Sequence, residues 1–323
     1  MKRSVAVIVN PTAARGRAAR GWRTLEGRLH SRLGELTVRW TRSAGHATAL
    51  AAELIEAGHD LIVAVGGDGT LNEVVNGMMG EDDLARPGLR LGFLPIGTGS
   101  DFQRTLRLPS NPADAVEVLA TGQTRLIDLA RIRFTGHDGA VKSCYFVNLV
   151  SFGMGGAVAA GAKSFLTVFG GKAAFLGATI QALARYRSRR VELVLDGGKR
   201  AFSAEIANVA VGNGRYHGGG MCPCPAAVLD DGVLDVTVID ALSPFQVLRD
   251  LRVLYSGDIH RHPKVHALHA RRLTARSDDT TLIEVDGESL GRLPLEIELL
   301  SRKLPIVVSA ACAASGCISA AAP

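Results

Sequence analysis

At 323 residues with 47% hydrophobic content, the chain is long enough for two domains with buried cores. Its net charge of +6 and pI near 9.3 favour an acidic partner such as a nucleotide, an anionic lipid surface or nucleic acid. Aromatic residues make up only 5% of the chain, too few for base-stacking platforms, so no nucleic-acid partner is expected. The five cysteines (Cys144, Cys222, Cys224, Cys312, Cys317) lack paired CxxC spacing. They read as reduced thiols of a cytoplasmic protein, not as a disulfide framework or a zinc site. Met1-Lys2-Arg3 leads directly into an apolar strand, without the pattern of a signal peptide.

Taken in order, Ser4 to Val9 is an apolar strand ending at Asn10-Pro11. A helix over about Ala18 to Leu33, a strand from Leu36 to Trp40 and a helix from His46 to Ala57 follow. The short β-branched stretch Asp60 to Val65 then runs into Gly66-Gly67-Asp68-Gly69-Thr70-Leu71-Asn72-Glu73. Beyond this turn Leu71, Val74, Val75 and Met78 fall at helical spacing, and Leu91 to Pro95 supplies another strand. Strands alternating with helices predict a parallel α/β sheet, whose ligands sit at the carboxyl ends of the strands. Asn10, the Gly66 loop, the stretch Ile96 to Phe102 and, after the second strand, Thr41 and Ser43 are therefore expected to converge.

The three glycines of the Gly66 turn remove Cβ atoms that would hold a ligand off the backbone, and they permit positive φ. A strand ending in such a turn and feeding a helix aims N–H groups at one point and forms an anion site, most often for phosphate. A plain tight turn is the competing reading. Asp68 inside the cradle is suited to hold a divalent cation or a sugar hydroxyl. There is no Gly-Lys-Ser/Thr and no GxGxxG spacing, so neither a Walker A loop nor the dinucleotide fingerprint is present.

Past about Leu126 the texture becomes β-rich. Strands are expected over Leu126 to Phe134, Val141 to Val150, Val191 to Leu195, Phe202 to Val211, Val233 to Ile239, Val265 to Ala275, Thr280 to Val285 and Leu293 to Leu299. A glycine-spiced helical insert over Gly155 to Arg187 and a helix from Pro244 to Tyr255 interrupt them. The pattern predicts an antiparallel, sandwich-like second domain. Residues 1–126 form the α/β domain, to which about 295–308 returns; 127–294 form the second domain, and 309–323 are expected to be disordered. Phe165 to Ala184 is apolar, but its glycines and Gln181 argue against a membrane-spanning helix.

Three further groups admit two readings each. Asp230-Asp231 before Gly232 is either a hard-cation loop or an Asp-Gly turn. Glu284-Val285-Asp286-Gly287-Glu288 is either a pair of working carboxylates or an exposed acidic turn. Arg185, Arg187, Arg189 and Arg190, behind an apolar helix face, suit either an anionic membrane surface or an ordinary basic helix end. His260, His262, His266 and His269 read as a solvated loop and strand face.

The string GGDGTLNEVVNG resembles the nucleotide-binding signature of the diacylglycerol kinase catalytic-domain family, and its GGDGT core is also similar to that of NAD kinases and 6-phosphofructokinases. VNPTAARGRA, LPIGTGSDFQR, the stretch from Asn213 through Gly218-Gly219-Gly220 to Asp235, and the Asp286-Gly287-Glu288 motif resemble the lipid kinases of that family in the same order. Ser100 stands where the family usually has Asn, and Gln103 where it usually has Ala. The resemblance implies an NAD-kinase/phosphofructokinase-like α/β domain followed by a β-rich domain, with ATP bound in the cleft between them. It implies that Asn10, Thr41, Gly66, Gly67, Asp68, Gly69, Thr70, Leu71, Asn72, Thr98 and Asp101 serve the nucleotide. Asp68 would also organise Mg²⁺ or the transferring group, and Glu288 would be the general base. A Mg²⁺ of structural character would rest on Asp231 with the carbonyls of Val228 and Val233. The expected reaction is phosphorylation of a lipid alcohol (diacylglycerol, phosphatidylglycerol or a sphingoid base) at the inner face of a membrane. An NAD kinase-like soluble-substrate kinase, or a non-catalytic nucleotide- or lipid-binding regulator, is the alternative.

Overall fold

A computed structural model describes residues 4–80, 86–96, 101–166, 187–310 and 312. The described chain forms two compact units. The first comprises the residues up to Leu129, Val228–Asp231 and the chain from Leu300; the second comprises Ala130–Ala227 and Gly232–Leu299.

In the first unit β1 (Val5–Val9), β2 (Leu36–Trp40), β3 (Leu61–Gly66) and β4 (Arg90–Pro95) are parallel, in the order β4-β3-β1-β2. The far end of β14 (Glu288–Val308) joins β4 in parallel through Ile306 and Leu91. β1 and β3 are buried along their whole length, as continuous apolar runs in parallel sheets require. α1 (Ala13–Leu33) buries Trp22, Leu25 and Leu29 against Val5, Val7 and Val63. α5 (Pro112–Thr121) adds Val116 and Leu119 to that core. α2 (His46–Glu56) and α3 (Asp68–Met78) cross closely. Gly77 makes the crossing possible, because a Cβ there would overlap the Thr48 carbonyl and lie 2.8 Å from the Ala51 Cβ.

The second unit is antiparallel throughout. β7 (Leu149–Gly153), β9 (Arg200–Gly212), β10 (Leu234–Asp240), β11 (Val265–Ala270) and β13 (Leu282–Val285) run in the order β11-β10-β9-β7-β13. β8 (Arg189–Leu195) pairs β9 and β12 (Arg272–Arg276), and β5 (Gln123–Gly136) pairs β6 (Val141–Phe146). Phe134, Phe146, Phe152, Leu193, Ile206 and Ile297 belong to one buried core.

Two expected strands are broken, each by a distant carboxylate. Val141 to Val150 is two strands, because Asp286 accepts hydrogen bonds from the N–H groups of Val147 (3.1 Å), Asn148 (3.1 Å) and Leu149 (2.8 Å). Those groups are therefore taken out of any ladder. Val265 to Ala275 divides at Arg271, whose N–H, with that of Arg272, donates to the Asp196 carboxylate at 2.8 and 3.0 Å. The helix expected from Pro244 to Tyr255 is likewise two pieces, α7 (Pro244–Asp250) and α8 (Val253–Ser256). The expected insert is described as α6 (Met154–Leu166); its remainder to residue 186, and the tail beyond 312, lie outside the described residues.

Candidate active site

The carboxyl ends of the parallel strands are stitched together. The N–H groups of Asn10, Thr41 and Ile96 donate to the carbonyls of Val65, Val9 and Gly66 at 3.0, 2.9 and 2.8 Å. Asn10 then links three elements. Its Nδ2 donates to Thr70 Oγ1 (3.0 Å), while its Oδ1 accepts from the N–H and hydroxyl of Thr12 at the start of α1.

None of the three glycines uses the positive φ that glycine permits. α3 begins at Asp68 with regular helical geometry through Gly69, and Gly67 is extended, with φ −92°. Gly66 is required for space: a Cβ would stand 2.5 Å from Thr70 Oγ1 and 2.7 Å from its Cβ. At Gly67 a Cβ would meet nothing within 4 Å among the described residues, which leave this side of the turn open. The first turn of an 11-residue helix presents backbone N–H groups and the positive dipole end there. Such an arrangement is suited to hold an anion.

Asp68 sits at its entrance, half-buried. Its carboxylate accepts from the N–H of Asp101 (2.8 Å) and of Phe102 (3.3 Å), which caps the short helix α4 (Asp101–Thr105). The buried Asp101 carboxylate faces Arg104 Nη1 at 2.8 Å, so an arginine accompanies the site that the reading of the sequence did not single out. Gln103 braces the following turn through the carbonyls of Leu108 and Pro109. The Leu71 side chain is fully buried in the core and its N–H donates to the Gly67 carbonyl. Asn72 accepts from the Asn76 amide. Thr98 and Ser100 lie outside the described residues. Glu73 was missed as well. Its two carboxylate oxygens accept from the N–H of Gly45 (2.8 Å) and Ala47 (3.0 Å), tying the start of α2 to α3.

The Asp230-Asp231 segment belongs to the first unit, held there by Asp128. The Asp128 N–H donates to the Leu229 carbonyl, and its carboxylate accepts from the Arg302 N–H, both at 2.6 Å. Asp230 is buried and Asp231 exposed, and Gly232 takes the left-handed φ of +79° that the turn requires. Val228 is in the first unit and Val233 opens the second. Among the described residues no three His, Cys, Asp or Glu side chains cluster as metal ligands.

In the second unit Asp286 and Gly287, with φ of 46° and 91°, form the two-residue turn between β13 and β14. Positive φ at both positions is the hairpin geometry that Asp-Gly favours. The three carboxylates of the motif separate. Asp286 is buried on the backbone of residues 147–149, and its own N–H returns to the Leu149 carbonyl at 2.9 Å. Glu284, also buried, accepts from Ser151 Oγ at 2.6 Å and stands 3.4 Å from His217 Nδ1. Burial pushes the Glu284 carboxyl upward, but the charge of the neighbouring His217, together with the Ser151 hydrogen bond, outweighs it and holds the group below the usual carboxylate range. Glu288 opens β14 and is exposed.

Asn148 and Asn213 tie the glycine-rich loop to this turn by donating to the carbonyls of Tyr216 (2.9 Å) and Val147 (2.8 Å). The four histidines are not simply solvated. His260 lies 2.9 Å from Thr237 Oγ1, and His262, His266 and His269 each face an aspartate. In the arginine run, Arg189 pairs with Asp279 and Arg190 bonds Ser203; Arg185 lies outside the described residues. No helix among the described residues is long and apolar enough to cross a membrane.

An α/β unit with an anion cradle at its strand ends, followed by an antiparallel unit, defines a class that comparison narrows. Residues 4–132 match the diacylglycerol kinase catalytic domain, and 148–308 match the YegS C-terminal NAD kinase beta sandwich-like domain. A Stenotrophomonas maltophilia protein named "Probable lipid kinase YegS-like" is 31% identical, over 86% of this chain and 88% of its own. A Staphylococcus saprophyticus protein named "Diacylglycerol kinase" is 29% identical, over 91% and 92%. The crystal structure of a diacylglycerol kinase from Bacillus anthracis superposes with a TM-score of 0.71 at 25% identity, covering 96% of this chain and 98% of that one. The chain belongs to the diacylglycerol kinase family, among its YegS-like lipid kinases.

Proposed function

We propose that this kinase transfers the γ-phosphate of ATP to the hydroxyl of a membrane lipid such as diacylglycerol, phosphatidylglycerol or a sphingoid base. The observation that carries the reading is the cradle of α3: an open helix N-terminus at Gly67, with Asn10 and Thr70 fixed around it and Asp68 at its mouth. There the backbone N–H groups of residues 68–70 bind nucleotide phosphate, and Thr41, Asn72 and Asp101 border it. Asp68 holds the Asp101 turn in place through two hydrogen bonds, and its carboxylate is the group suited to a cation there. Glu288, exposed at the head of β14, takes the proton of the lipid hydroxyl; the buried Asp286 fixes the turn that presents it.

The donor set at the Asp231 loop, one carboxylate with the backbone carbonyls of Val228 and Val233, is all oxygen and suits Mg²⁺, which keeps several waters and needs few protein ligands. Mg²⁺ bound with ATP shields phosphate charge during transfer. The protein acts in peripheral contact with a membrane surface, where its substrate resides.

Transfer of labelled γ-phosphate from Mg-ATP to a panel of mixed-micelle lipids, with NAD as a soluble control, tests the reading. Labelled lipid is expected; label on NAD alone overturns it. Glu288→Gln should lose most turnover while ATP still binds, and near-normal turnover would remove Glu288 from the base role. Asp68→Ala should weaken nucleotide and metal binding together.

A further inference from the structure

Among the described residues the large exposed apolar side chains are Trp40, Leu126, Val141, Phe245 and Tyr255. Phe245 and Tyr255, 74% and 50% exposed, share the short helical segment α7–α8 of the second unit. They are not core residues left uncovered, because the segment's inward side is already supplied. Val247, Leu254 and Ile259 line an apolar cavity of about 30 Å³ together with Met154, Ala207 and Val265. Phe245 and Tyr255 are instead held outward by a well-fixed element. Ser243 and Gln246 form a reciprocal capping box at the start of α7, with Pro244 in its first turn.

The same outer surface carries three arginines against two aspartates, a surplus of one positive charge. Arg249 and Arg252 follow Phe245 at i+4 and i+7; Leu251 and Arg252, between the two helices, keep right-handed helical angles, so the three residues share one face. Both are exposed, and Arg261 just beyond α8 is 86% exposed in its side chain. Asp250 and Asp258 are the acidic side chains of the segment, and each pairs with an arginine, Arg249 at 2.7 Å and Arg261 at 3.2 Å. An exposed phenyl ring, a tyrosine with its hydroxyl, and guanidinium groups around them match a bilayer interface. The phenyl ring suits the acyl boundary, the tyrosine the headgroup level and the arginines the lipid phosphates. A protein partner would not by itself require positive charge around the rings.

We propose that the outer face of α7–α8, carried by Phe245, Tyr255, Arg249 and Arg252, is the surface by which this kinase docks on an anionic phospholipid bilayer. The biological purpose rests on the lipid-kinase reading above; the docking does not, and the two are tested apart.

Sedimentation with vesicles of phosphatidylcholine, with and without phosphatidylglycerol, is the direct measurement. The wild type should bind the mixed vesicles, and the F245S/Y255S double variant should bind about tenfold or more weakly. R249Q/R252Q should lose roughly fivefold per arginine on the anionic vesicles, and little on pure phosphatidylcholine. As a second measurement, the fluorescence of Phe245→Trp should be quenched by brominated lipid beyond any quenching of Trp22 and Trp40. In turnover, the double variant should fail on vesicle-borne diacylglycerol and match the wild type on a water-soluble short-chain diacylglycerol. Wild-type protein that leaves the vesicles unbound, or a double variant that sediments like the wild type, overturns the proposal. Wild-type protein that binds vesicles through Phe245 but phosphorylates no lipid supports the docking surface and overturns the kinase reading alone.

Discussion

The glycine turn of the first unit and the Asp-Gly turn of the second both set acidic residues at a strand end, yet they reach very different partners. Asp68 takes two backbone N–H groups from residues 33 and 34 positions away, one βα unit further along the chain. Asp286 takes three, from residues 137 to 139 positions away. Glu73 ties α2 to the neighbouring α3, whereas Glu284 ties β13 to Ser151 and to the His217 loop. In the first unit the acidic side chains finish a cradle that local structure has already drawn. In the second they create the turn itself, by ending β6 and starting β7.

If that contrast holds, the largest stability loss belongs to the second unit. Asp286→Ala leaves three buried N–H groups without their acceptor and should cost about 3–5 kcal/mol, read from the urea midpoint. Gly77→Ala tests the first unit, where a methyl group would collide with the Thr48 carbonyl. Separating α2 from α3 should cost about 1–3 kcal/mol. A larger loss at Gly77 than at Asp286 would reverse the comparison. Glu73→Ala removes only the acceptors at the start of α2 and should cost about 1–2 kcal/mol, with the Gly66 turn still able to bind nucleotide by calorimetry.

The smallest effect at neutral pH is expected for Glu284→Gln, because burial offsets much of what the contacts with His217 and Ser151 contribute and only the net difference is lost. Its effect lies in the pH profile. The folded-state acidity of Glu284 is shifted below its ordinary value of 4.5, so its ionised form stabilises the fold above that value. This contribution disappears as pH falls through the lowered folded-state value. Glu284→Gln should therefore flatten the acid limb of the stability curve, and an unchanged acid limb would show that Glu284 is not held ionised.

The strands of the parallel unit and its first three helices were legible, although α5 was not. The strand Leu36 to Trp40 and the start of α2 at His46 fall where the apolar periodicity sets them, because each element in a βα repeat is specified by neighbours in sequence. The glycine turn was legible too, except for the reason its first glycine is needed. Gly66 is demanded by the Thr70 side chain one helical turn later and not by its own backbone angle, a steric fact that appears only once Thr70 has a position. The burial of Leu71 is likewise a matter of packing, which a signature in the sequence does not display. Arg104 and Glu73 carried no signal of their own, since a charged residue on a helix is usually a solvated one.

What the sequence by itself determined is the order and type of the elements, the position of the phosphate-suited turn, and the set of signatures that identify the family. The tertiary structure alone decided where the long β stretches break, at Val147-Asn148 under Asp286 and at Arg271 under Asp196. It also decided the return of Val228–Asp231 to the first unit. Such choices are made by a carboxylate meeting backbone N–H groups tens to more than a hundred residues away. Local propensity carries no record of that partner, and the hydrogen bonds that fix the break exist only after the chain has folded.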